Sequence, residues 1–136
     1  MKTTTALALA IIAATASAAT AQPRPAQQLP IQQGNYVADF ESCGETMSVF
    51  RYDGRRIGWF GAERQAHEME AIRSVRRQGR SYRVEIADRD SGSGSGGVTP
   101  VIITPRGQGR IAVEVQEEIA MRLCAPATLP RWMRGR

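Results

Sequence analysis

Between Asn35 and Cys124, short runs of alternating apolar and polar residues recur, each cut off by a turn former, and nothing else in the chain constrains its fold as much. A strand sends successive side chains to opposite faces, so the run from Asn35 to Phe40 puts Tyr36, Ala38 and Phe40 on one side. Thr46 to Tyr52 reads as a second strand. Asp53-Gly54 follows as a hairpin signal, since a type I′ turn needs positive φ at its centre and Asp and Gly tolerate it. The return strand is Arg55 to Phe60. Ala62, Ala66, Met69 and Ile72 have helical spacing, but Gln78-Gly79 is a turn and Tyr82 to Ile86 alternates as a strand. Residues 68–77 are therefore expected as strand, and 62–67 as loop or a short helical turn. Val98 to Thr104 is β-branched, and Pro100 restricts it to an edge or a strand start. Arg110 to Gln116 alternates with Ile111, Val113 and Val115 inward, and Ile119 to Leu123 comes last. About eight short strands at this spacing predict a mainly β domain, a small antiparallel barrel or sandwich.

The two ends read differently. Lys2 precedes an apolar, Ala-rich run from Ala6 to Ala14, and small-x-small sites follow at Ala16-Ser17-Ala18 and Ala19-Thr20-Ala21. This is the pattern of a cleavable secretory signal over residues 1–21. The run is too short and too broken by Thr and Ser for a spanning helix. Residues 22–33 form a Pro/Gln-rich linker, 34–126 the β-domain, and 127–136 a flexible C-terminal tail. The expected location is periplasmic or secreted, with no transmembrane segment after cleavage.

Export gives the two cysteines their meaning. In an oxidising compartment Cys43 and Cys124 are expected to form a disulfide. It would tie the first β turn to the final strand and help close the sheet. Export also removes Lys2, the only lysine among 18 basic residues, leaving an all-arginine cation set against 13 acids. Arginine is the better residue for planar contact with carboxylate or phosphate.

Several motifs match on letters and fail on context. Gly92-x-Gly94-x-x-Gly97 satisfies a dinucleotide pattern, but the following Val98-Thr99-Pro100 cannot be the helix whose amides hold pyrophosphate. Asp88-x-Asp90-x-Gly92 lacks the later ligands of a calcium loop. His67, the single histidine, cannot build a His-rich metal site, and no Gly-x-Ser-x-Gly elbow accompanies it. No catalytic residue, cofactor site or metal site is assigned. The feature left is an arginine cluster, Arg73, Arg76, Arg77, Arg80 and Arg83, which is a candidate anion-binding patch or a solvated face neutralised by nearby acids. Export and the lack of interleaved aromatics argue against nucleic acid.

Gly34-x-Tyr36-Val37 with Cys43-Gly44, Ile72-Arg73-x-Val75 with Tyr82-Arg83-Val84, and Met121-Arg122-Leu123-Cys124 with Leu129-Pro130 resemble segments of small exported proteins of alphaproteobacteria. The resemblance implies export and no particular activity. Bacterial lysozyme inhibitors are similar only in size, export and β content, and no inhibitory motif matches. The leading expectation is a non-enzymatic domain that binds an envelope protein, glycan or anionic lipid. One alternative is a small-ligand carrier using the barrel interior, which a core filled by Phe40, Phe50, Trp59, Tyr82 and Ile111 would contradict. The other is a hydrolase with convergent polar residues in a cleft.

Overall fold

The computed structural model describes residues 28–63, 69–87 and 97–135. The signal segment, His67 and most of the Gly/Ser loop, with Asp88 and Asp90, lie outside the described residues. Among the described residues eight strands follow in chain order: β1 Gly34–Ala38, β2 Ser48–Tyr52, β3 Arg56–Gly61, β4 Glu70–Gln78, β5 Ser81–Ala87, β6 Val98–Gly107, β7 Arg110–Glu114 and β8 Glu118–Cys124. Each pairs antiparallel with the next, and β1 pairs with β8, so the sheet is a closed up-and-down barrel. Closure satisfies every strand edge that a sandwich would leave open. Among the described residues the narrowest seam is β3–β4, where Arg56 faces Ala71 and Ile57 faces Glu70.

Alternation fills the interior with Tyr36, Phe50, Tyr52, Ile57, Val84, Val101, Ile103, Ile111, Val113 and Met121. Trp59 and Tyr82 are half-buried and pack against this core, and the Trp59 ring lies 4.9 Å from that of Phe50. Phe40 departs from the expected inward row. β1 ends at Ala38, and two residues later the chain has turned outward, leaving Phe40 exposed. Val115 is exposed for the same reason, one residue past the end of β7.

The hairpin at Asp53-Gly54 forms, with a different turn. Only Gly54 has positive φ, so the type I′ geometry, which needs it at both centres, is not adopted. Instead an Asp53 carboxylate oxygen accepts the backbone N–H groups of Arg55 and Arg56 at 2.9 and 2.7 Å. Pro100 fits the strand start expected of it. It pairs with Glu85 of β5, whereas β6–β7 pairing begins only at Ile102, so its missing N–H costs no ladder bond on the β7 side.

Residues 28–33 and 125–135 are packed on the barrel, where a linker over 22–33 and a flexible tail over 127–136 were expected. Leu29, near the end of the Pro/Gln-rich arm, is buried in the interior core, and Ile31 packs beside it. The hydroxyl of Tyr36 donates to the Gln32 carbonyl at 2.6 Å, which holds the arm across one end. At the other terminus, two short 3-10 turns, Pro126–Thr128 and Arg131–Met133, lay Leu129 and Met133 over the outer surface of β1, β2 and β3. There they meet Val37, Val49, Phe60 and Cys124 in a second small core. This explains why β1 is buried on both faces. The disulfide from Cys43 to Cys124, with Cα atoms 6.0 Å apart, borders the same cluster.

Candidate binding site at the open end of the barrel

Strand direction sorts the loops into two ends. The β2–β3, β4–β5 and β6–β7 turns lie at one end with the N-terminal arm, where Leu29 and Ile31 close the interior. The connections after β1, β3, β5 and β7 lie at the other end. Here the barrel opens into a cleft of about 360 Å³ lined by Trp59, Val113, Val115, Gln116, Glu117 and Ile119. Trp59, Val113 and Ile119 are inward residues at strand ends, and Val115 to Glu117 form the β7–β8 turn.

Apolar side chains stand exposed among the polar residues of these connections. Among the described residues the exposed large hydrophobics are Phe40 at 85%, Met47 at 56%, Val98 at 48% and Val115 at 47% exposure. Phe40 and Met47 sit in the β1–β2 connection, Val98 opens β6, and Val115 lies in the β7–β8 turn. All four are therefore at the open end. Single exposed apolar residues are ordinary; what sets this end apart is that all four lie in or beside its connections. Met47 also lines a second depression with Gly61, Ala62 and Glu63.

Among the described residues the connections at this end carry acids, two of those at or beside them being ion-paired, Glu118 with Arg106 at 2.8 Å and Asp39 with Arg110. Asp39, Glu41, Glu45, Glu63 and Glu117 lie in the connections and Glu114 and Glu118 at the adjoining strand ends, while the described connections there hold no arginine. The loop carrying Phe40 is held in place. Arg122 donates to the carbonyls of Asp39, at 2.7 Å, and Glu41, and Arg110 pairs with the Asp39 carboxylate at 2.9 Å. Further along, buried Thr46 donates to the Glu41 carboxylate, and the Trp132 indole N–H donates to the Thr46 carbonyl at 3.3 Å. The exposed apolar side chains thus project from an anchored backbone.

The sequence-predicted arginines are elsewhere. Arg73 occupies a bulge in β4, Arg76 faces Arg83 across the β4–β5 ladder, Arg77 faces Tyr82, and Arg80 is in the turn. All five are exposed or half-exposed. The structure brings them onto one hairpin but splits their directions. Arg76 and Arg83 share the outer face, whereas Arg77 folds back to the Gly79 carbonyl at 3.0 Å. The predicted disulfide partners, Cys43 and Cys124, are joined.

These exposed side chains are not legible in the sequence. Alternation puts Phe40 and Val115 in the core because it assigns a side of the strand but does not say where the strand stops. The clue available was Ser42-Cys43-Gly44, a turn too close to Phe40 for β1 to reach it.

Comparison with protein-family models, curated proteins and solved structures found no match for this chain.

Proposed function

We propose that this is an exported, non-enzymatic binding domain that holds an envelope protein at the open end of its barrel. The observation carrying this reading is the gathering of Phe40, Met47, Val98 and Val115 at that end. Burying such side chains in an interface is favourable by about 25 cal/mol per Å² of apolar surface. The surrounding acids favour a partner surface carrying basic groups and disfavour an anionic lipid at this end. The Cys43–Cys124 disulfide is compatible with an extracytoplasmic location, and the leader-like residues 1–21 supply the route.

The cleft beside Trp59 supports a second reading, a carrier of a small apolar ligand, because its volume falls within the range of ligand pockets. Phe50, Trp59, Tyr82 and Ile111 occupy or pack against the interior, which leaves the mouth as the place for such a ligand. The two readings separate by mutation. Phe40→Ser with Met47→Ser removes the rim away from the cleft-lining residues. Loss of partner capture from an envelope extract supports the protein-binding reading. Unchanged capture, with Trp59 fluorescence responding to apolar ligands, supports the carrier.

A further inference from the structure

The β4–β5 hairpin carries a charge arrangement that the fold itself does not require. Arg76 stands directly opposite Arg83, and like charges in that position destabilise a ladder. Arg73 and Arg80 extend the positive surface along the hairpin, and both are exposed. Among the described residues, ion pairing within the cluster is a single contact, Arg83 to Glu85 at 3.5 Å, and Glu85 is shared with the Ser74 hydroxyl. Beside the arginines on the same outer face, Ser81 and Thr104 are hydrogen-bonded to each other at 2.7 Å, adding polar groups able to contact an anion.

The surface is convex sheet rather than a cradle. A single small anion is held tightly where donors converge around it and exclude water. Here the guanidinium groups are spread over two strands and a turn, which suits several anionic groups presented side by side. The molecule is also polar in charge. Among the described residues, Arg55, Arg56, Arg77 and Arg80 lie at the plugged end, with Arg56 paired to Asp53, while the connections of the open end carry Asp39, Glu41, Glu45, Glu63 and Glu117. Such a distribution orients a protein over an anionic surface.

We propose that the outer face of β4–β5 docks on the phosphate-bearing headgroups of an anionic lipid surface, which leaves the open end uncovered. This rests on the arginine face and is independent of what the open end binds.

The test is co-sedimentation of the purified exported protein with phosphatidylcholine vesicles, with and without phosphatidylglycerol. Binding is expected only with phosphatidylglycerol and is expected to weaken as salt rises. Arg76→Gln with Arg83→Gln is expected to weaken it about 25-fold, roughly five-fold per arginine removed. Arg76→Lys with Arg83→Lys should retain most of it. Arg131→Gln, on the C-terminal segment, should leave it unchanged. Because the glutamine pair removes a like-charge contact, its thermal midpoint should stay level or rise, so lost binding cannot be assigned to unfolding. Equal binding to neutral vesicles, or no change in the glutamine pair, would overturn the proposal. So would competition by inorganic phosphate beyond that of chloride at matched ionic strength, because it would mean a discrete anion site.

Discussion

The indole N–H of Trp132 donates to the carbonyl of Thr46 at 3.3 Å across 86 residues of sequence, fastening the C-terminal segment to the loop between β1 and β2. That contact joins two features. The same segment buries Met133 and Leu129 on the barrel's outer surface, and the same loop presents Phe40 and Met47 to solvent. The Arg131–Met133 turn therefore steadies the loop on which the proposed binding depends.

If the segment is part of the fold, shortening its anchor should cost stability on the scale of a core residue. Met133→Ala is expected to destabilise by about 2–5 kcal/mol, because it removes a buried side chain and leaves a cavity against Val37 and Phe60. Urea unfolding measures this. A frayed tail would give a change near zero.

Gly34 opens β1 with φ at +149°, and a Cβ there would lie 2.6 Å from Leu123 Cδ1. Gly34→Ala should therefore destabilise by about 1–3 kcal/mol, as strained backbone positions do. Gly79, at φ +61°, has nothing within 4 Å, so Gly79→Asn should cost little, since Asn adopts the left-handed region. Comparing denaturant midpoints tests the ranking, and equal costs would argue against this account of the β1–β8 junction.

Tyr36 makes an alkaline prediction. Burial pushes its phenol up to about 12, the neighbouring Tyr52 adds to the effect, and the proton at stake is the one donated to Gln32. The folded value lies above the unfolded 10.0, so the neutral form is favoured by folding. The resulting stability is complete below pH 10.0 and is lost as pH rises to about 12. Tyr36→Phe should lose about 1 kcal/mol at neutral pH, for the hydrogen bond, and show a shallower alkaline decline. Stability measured across that interval in both proteins decides it; identical alkaline slopes would contradict the assignment.

The strand order and the disulfide were legible because each depends on local alternation or on a bare pair of cysteines. Strand is legible over 70–77, within the expected 68–77, despite helical spacing at Met69 and Ile72, because the turn at Gly79 and the strand after it require a hairpin partner. Barrel closure was not separable from a sandwich, since it depends on Tyr36 meeting Leu123, a pairing between the two ends of the domain. Leu129 and Met133 gave no signal because turns of three residues are too short to show a period. Their partners Val37 and Val49 read as outward-facing, and so they are, but beneath the C-terminal segment. Leu29 was hidden similarly among prolines and glutamines. The candidate site was least legible, because it consists of apolar residues whose meaning depends on where strands end.

The most direct measurement is site-specific photo-crosslinking in intact cells. A photoreactive phenylalanine analogue would replace Phe40 or Val115 at the open end, and Gln108 at the plugged end. One defined protein adduct is expected from positions 40 and 115 and none from position 108. Adducts from position 108 alone, or no protein adduct from any of the three, would contradict binding through the open end of the barrel.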